Sequence, residues 1–171
     1  MKLHLACGKK RLPGFTHVDI RPNIGVDVVT DISKMPMFKD DTADVIYLCH
    51  GLEHFGVKEV PEVLREWHRI LKPGGWLYLA MPDFGAIASE YVFGMLPLKM
   101  IRAALMGGQE YPENIHYSTW DQTLLYEVLY EAGFTEAQRY DAWKFTPKGY
   151  YDYSKFVLSG TRLSLNVRAM C

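Results

Sequence analysis

Cysteine is scarce in this chain: Cys7, Cys49 and Cys171 are the only three in 171 residues. They are odd in number, far apart and form no Cys-x-x-Cys pair. A disulfide framework or a structural zinc site is therefore not expected, and a reducing, cytoplasmic setting is the default. An excess of one charge is missing too: 19 Lys and Arg stand against 20 Asp and Glu, for a net charge of −1. Nucleic acid is not expected as the main partner. The one tight basic cluster, Lys9-Lys10-Arg11, reads as a solvated turn before it reads as a binding patch. Long apolar runs are also absent. The stretch Tyr91–Met106 is broken by Gly94, Pro97, Lys99 and Arg102, short of the ~18 residues a membrane span needs. Met1 leads almost directly into an apolar strand without a charged-then-apolar leader, so neither secretion nor membrane attachment is expected. No repeat, low-complexity tract or linker divides the chain, which has the length of a single domain over residues 1–171.

What is present is a set of short apolar runs. Leu3–Ala6, Thr16–Ile20 and Asp27–Thr30 read as three early strands. Asp44–Cys49 is a continuous apolar run, as expected of a strand buried on both faces. Val60, Val63, Leu64, Trp67, Ile70 and Leu71 then recur at helical spacing, with Pro61 in the first turn and Lys72-Pro73-Gly74-Gly75 as the stop. Trp76–Met81 follows as a buried strand. Strand, helix and strand make a βαβ unit, so the sheet is expected to be mostly parallel. Phe84–Met106 reads as one or two helices broken near Gly94–Pro97. Thr119 and Gln122 suggest a capping box for a helix carrying Trp120, Leu124, Leu125, Val128, Leu129 and Ala132 on one face, ended by Gly133. Gln138–Trp143 and Leu163–Ala169 are the expected closing strands, forming an antiparallel hairpin.

In a doubly wound sheet a cofactor lies at the carboxyl end of the first strand, where a glycine lets it approach the backbone. An acidic residue ending the second strand then takes the ribose hydroxyls. Here Ala6-Cys7-Gly8 and Asp19-Ile20 stand in those places. Alone, one glycine and one aspartate are weak evidence.

The later motifs add weight. Cys7-Gly8, Val18-Asp19, Leu52-Glu53-His54 and Leu71-Lys72-Pro73-Gly74-Gly75 together resemble the class I S-adenosylmethionine (SAM) methyltransferases, in particular the type 11 group. Short bacterial members with the pattern CGKKxLPGFxxVDI, often associated with cell-surface glycan genes, are a narrower resemblance. The resemblance implies a Rossmann-like α/β fold. It also implies SAM as cofactor, and a small-molecule or glycan-related methyl acceptor. It places SAM against Ala6, Cys7, Gly8, Asp19, Ile20, Asp31, Ile32, His50 and Leu52, with Asp31-Ile32 framing the adenine. The region of about residues 84–118 is where such folds carry acceptor-binding insertions. His54 and His116 are the candidates for assisting deprotonation of the acceptor. A homodimer is left open.

One departure stands out. Gly8 and Asp19 are eleven positions apart, against about 20 in a dinucleotide-type fold. Pro13-Gly14 interrupts even that span, so the first helix is expected to be shortened or missing. This keeps a second reading alive, a non-catalytic binding or scaffold protein on a degenerate fold. A third, minor reading comes from His50-x-x-Glu53-His54, which matches a zinc-hydrolase pattern. That pattern needs both histidines on one helix face. Gly51 after a buried strand points to a loop instead, and no metal site is expected.

Overall fold

The early apolar runs form strands that line up side by side, as their length and composition require. The computed structural model describes residues 1–171. It begins with β1 (Lys2–Leu5), β2 (Thr16–Asp19), β3 (Val28–Val29) and β4 (Ala43–Cys49). A 3₁₀ turn at Leu52–His54 leads to α1 (Val60–Ile70), which runs directly into β5 (Leu71–Pro82). Two helices follow, α2 (Phe84–Val92) and α3 (Leu98–Met106), then α4 (Gln122–Glu131) and β6 (Thr135–Arg139). The chain closes with a short α5 (Ala142–Phe145), the small hairpin β7 (Val157–Leu158) and β8 (Thr161–Arg162), and β9 (Ser164–Met170).

Seven strands form one sheet in the order β3-β2-β1-β4-β5-β9-β6. The first five are parallel, and β9 enters between β5 and β6, antiparallel to both. This is the expected mostly parallel α/β sheet with an antiparallel end.

The two faces of the sheet differ because side chains alternate along each strand. Leu3, Leu5, Val18, Ile46, Leu48, Leu77, Leu79, Leu165 and Val167 point to one side. There they meet the buried stripe of α1 (Val60, Val63, Leu64, Trp67, Ile70) and Leu125 and Leu129 of α4. The Trp67 indole N–H donates to the Ile32 carbonyl at 2.8 Å, so its bulk is buried with its polar atom paired. On the other side, a row of polar and aromatic residues crosses the strands in register: His17, His4, Tyr47, Tyr78 and Arg168. The connection from Tyr140 to Leu163 covers this row. Phe145 stacks on Tyr78 at 4.0 Å and packs on Tyr47 at 5.1 Å. The Tyr47 hydroxyl donates to Asp152 Oδ2 at 2.6 Å.

The helix expected to be shortened or missing is missing. Ala6–Phe15 contains only turns, and no helix joins β2 to β3 or β3 to β4. Arg11 organises the first connection instead. Its guanidinium donates to the carbonyls of Gly8 (3.0 Å), Lys10 (2.7 Å) and Ile24. The basic cluster is thus not simply a solvated turn: Lys9 and Lys10 are exposed, but Arg11 ties two loops together.

Three local expectations are corrected. Asp121, not Thr119 with Gln122, caps α4, accepting from Leu124 N at 2.8 Å. Leu124 faces solvent because the cap shifts the helix start past Trp120, which is buried ahead of it. The strand expected over Gln138–Trp143 ends at Arg139, since Asp141 caps α5 and draws Ala142 and Trp143 into a helical turn.

Candidate active site

Parallel strands deliver their carboxyl ends to one edge, and the strand order reverses between β1 and β4. A crevice opens at such a switch point. Here it is a cleft of about 850 Å³, with Ala6, Cys7 and Gly8 after β1 and Asp19, Ile20 and Arg21 at the end of β2. Asp31 and Ile32 follow β3, and Cys49, His50 and Gly51 follow β4. Its size suits a cofactor together with an acceptor.

The two strand exits abut. A Cβ on Gly51 would lie 2.6 Å from Leu48 Cδ1 and 3.3 Å from Ala6 Cβ, so any larger residue there must displace the buried Leu48 side chain. Ala6 (φ 45°) and His50 (φ 53°), on the two exits, both adopt left-handed backbone. For side-chain-bearing residues that costs roughly 1–2 kcal/mol each. Gly8 also has positive φ, and no atom lies within 4 Å of where its Cβ would be.

Asp19 is buried, and its carboxylate is held from two sides. Oδ2 accepts from Gly8 N at 2.7 Å and Oδ1 from Arg21 N at 2.9 Å. A direct bond between the two motif residues therefore replaces the helix that usually joins them. Asp31 is exposed and forms a tight turn by accepting from Ser33 N at 2.8 Å. Ile20 exposes an apolar side chain to the cleft, while Ile32 is buried along its wall. Burial pushes the Cys7 thiol up to about 11, so it stays protonated.

Leu52 is expected to contribute backbone, with His50 and Gly51, and its side chain is fully buried in the main core. The 3₁₀ turn that begins at Leu52 sends it inward and turns His54 toward the cleft.

The segment 84–118 folds over this edge. Tyr117 N and Ser118 N both donate to the Glu53 carbonyl, at 2.8 and 3.2 Å. At its far tip, Tyr111 lies under the Arg21 guanidinium at 4.1 Å, spanning the cleft mouth. Met100, Ala103, Gly108 and Asn114 contribute to the roof. His116 is brought against His54, ring centroids 4.9 Å apart. Each ring donates Nδ1–H to a backbone carbonyl, His54 to Ile115 and His116 to Ala104, both at 3.0 Å. Each Nε2 is left as an acceptor. Burial lowers both imidazoles, His116 to about 4, so both are neutral near pH 7. His50 is likewise lowered, to about 3, by burial. Beneath them Glu53 is almost wholly buried, and burial raises its carboxyl to about 8.

His50 and His54 do not share a helix face: one follows a strand and the other ends a single 3₁₀ turn. The arrangement demanded by the hydrolase pattern is therefore not formed. Tyr150, Tyr151 and Tyr153 read from the sequence as packing residues before pocket-lining ones. Tyr150, Asp152, Tyr153 and Phe156 line the cleft, with Tyr153 packed on His50 at 5.2 Å. A run of tyrosines carries no periodicity from which that role is legible.

Comparison with known proteins agrees with this fold. The family described as Methyltransferase domain matches residues 5–79. A SAM-dependent methyltransferase from Archaeoglobus fulgidus is similar in structure at 13% identity. The match covers 99% of this chain and 85% of that one, with a TM-score of 0.60. One from Thermotoga maritima is similar at 18% identity, covering 99% and 81%, with a TM-score of 0.61. A third is the 1,6-didemethyltoxoflavin-N1-methyltransferase of Burkholderia thailandensis, solved with 1,6-didemethyltoxoflavin and S-adenosylhomocysteine bound. It is 15% identical, with 99% and 69% covered and a TM-score of 0.59. At these identities the likeness is one of fold. No protein of curated function matches the sequence.

Proposed function

We propose that this chain, whose residues 5–79 match the methyltransferase domain family, is a class I SAM-dependent methyltransferase that methylates an oxygen or nitrogen of a small-molecule or glycan-related acceptor held under the 84–118 roof. The observation that carries the reading is Asp19: a buried carboxylate at the end of β2, fixed by Gly8 N, on the wall of a large cleft. The remaining lone pairs of its oxygens are the natural acceptors for ribose hydroxyls. The open side of Gly8 leaves room for close approach of a cofactor. Ile20 and Ile32 supply apolar surface for the adenine, and Asp31 an acceptor for its amino group. The His50-Gly51 backbone, which lines the cleft, would hold the methionine portion.

SAM, when bound, supplies an electrophilic methyl carbon on a sulfonium. Displacement there depends on alignment more than on a strong base, so the chain's main task is positioning. The roof excludes water and orients the acceptor. The Nε2 atoms of His54 and His116, neutral and held by their backbone bonds, accept a hydrogen bond from the acceptor's O–H or N–H and take its proton as it is lost.

Calorimetric titration with SAM tests the cofactor site. Saturable binding is expected. Asp31→Ala, at an exposed position, and Asp19→Ala are each expected to weaken it by about tenfold or more, a loss of about 1.4 kcal/mol. The missing first helix favours the rival reading of a non-catalytic scaffold, and absence of SAM binding to the folded wild-type chain would decide for it.

A further inference from the structure

Glu53, His54 and His116 are not explained by cofactor binding alone. Each offers one ligating atom, and these atoms all lie within 4.8 Å of one another. Both carboxyl oxygens of Glu53 are buried without a hydrogen-bond partner. The closest imidazole nitrogens are His50 Nδ1 at 3.5 Å and His116 Nε2 at 3.9 Å from Oε1. A buried carboxyl with nothing to bond is costly and calls for a partner. The two histidines meanwhile have their Nδ1–H groups committed to carbonyls. Metal-binding histidines are commonly oriented in this way, with one nitrogen donating to a carbonyl and the other free to ligate.

We infer that Glu53, His54 and His116 form a binding site for a divalent first-row cation, of which Zn²⁺ is the type, at the acceptor end of the cleft. Two imidazole nitrogens and one carboxylate oxygen suit a borderline cation and are poorly matched to Mg²⁺ or Ca²⁺, which prefer oxygen alone. His54 and His116 line the cleft, so coordination positions remain open on that side. The site differs from the hydrolase pattern in the sequence: His116, sixty-odd residues downstream and delivered by the roof, takes the place of His50. With the cation bound the two Nε2 lone pairs are taken up by it and no longer serve as bases; an acceptor oxygen entering the cleft would then meet the open positions, where the cation favours its ionised form and the proton passes to solvent. That use rests on the methyltransferase reading above; the site itself does not.

The test uses the full chain freed of metal by a chelator, with Zn²⁺ titrated calorimetrically and Co²⁺ followed by its visible absorption. One equivalent of Zn²⁺ is expected to bind, reversed by chelator, with ligand-field bands for Co²⁺. Glu53→Gln, which preserves shape and can still hydrogen-bond a histidine, and His116→Ala should each weaken binding by at least about tenfold. His68→Ala should leave it unchanged, although His68 Nε2 lies 3.4 Å from Cys171 Sγ and is the obvious rival site. No stoichiometric binding, or binding that survives Glu53→Gln and His116→Ala, overturns the inference. A thermal melt of the Glu53→Gln variant shows whether it is folded, and SAM is titrated into it separately. That titration keeps the two readings apart, since the cation site can fail while SAM binds, and the reverse.

Discussion

At the scale of single residues, this site is built from positions that a side chain barely tolerates. Gly51 lies between Leu48 and Ala6 where the exits of β1 and β4 meet. Gly51→Ala forces its Cβ to within 2.6 Å of the buried Leu48 Cδ1. Overpacking of this kind costs about 1–3 kcal/mol. For a chain of this size that is a fall in Tm of roughly 2–12 °C, measurable by differential scanning calorimetry; an unchanged Tm would mean that the Leu48 side chain yields without cost. The two ends of the glycine-to-aspartate motif are legible in the sequence by type and by order. Their direct bond is not, because a hydrogen bond across eleven positions depends on the path of the intervening chain. The same holds for Leu52. A place in a motif says nothing about which way a 3₁₀ turn sends the side chain.

At the scale of elements, the β1–β2 connection matters most. A doubly wound fold ordinarily spends a helix there; this chain spends ten residues of turn instead, with Arg11 bonded to Gly8, Lys10 and Ile24 as its internal brace. Arg11 does not line the cleft. Arg11→Met is nonetheless expected to lower stability by about 1–2 kcal/mol, since hydrogen bonds from a charged group are lost. It should also weaken SAM binding several-fold, because Gly8 is no longer held. Denaturant melts and SAM titration of the variant measure both, and unchanged affinity would show that the turn is rigid without its brace. Helix α1 and strand β4 are readable to within a residue, since their apolar patterns are strong and their neighbours in sequence are their neighbours in space; β5 is not, because Leu71–Gly75, read as the end and stop of the helix, are its first five residues. The α4 cap was misread because Thr119, Asp121 and Gln122 offer competing local bonds. Tertiary burial of Trp120 and its pairing with Asp83 chose among them.

At the scale of the whole molecule, the sheet has one apolar face and one face of histidine, tyrosine and arginine closed by the late chain. His4 sits in the second face against His17 and Tyr47, with Arg11 and Asp152 near enough to act on it. Burial foremost, then the charge of His17, lowers it to about 3. A histidine depressed on folding binds its proton more readily in the unfolded chain. Its contribution is therefore complete above about pH 6.5. It declines as pH falls toward 3, by at most about 1.4 kcal/mol per pH unit. Between pH 6.5 and 4, wild type should lose stability faster than a His4→Phe variant, as read from urea midpoints. Parallel curves would show that His4 is not the group responsible.

Taken alone, the sequence determined the order of strands and helices over most of the chain, the parallel βαβ unit and the absence of room for a first helix. It also marked Gly8, Asp19, Asp31 and His50 as strand-end residues. Those features are local: they follow from periodicity, from chain length between motifs and from residue type. Only the tertiary structure decided that Asp19 bonds Gly8, that Arg11 stands in for a helix, and that β9 enters between β5 and β6. It alone brought Tyr150, Tyr153 and His116 to the cleft from the later half of the chain and set His116 beside His54 and Glu53. Contacts between residues sixty or a hundred positions apart depend on how faces of the sheet are covered, and no local pattern in the chain encodes which segment will cover them.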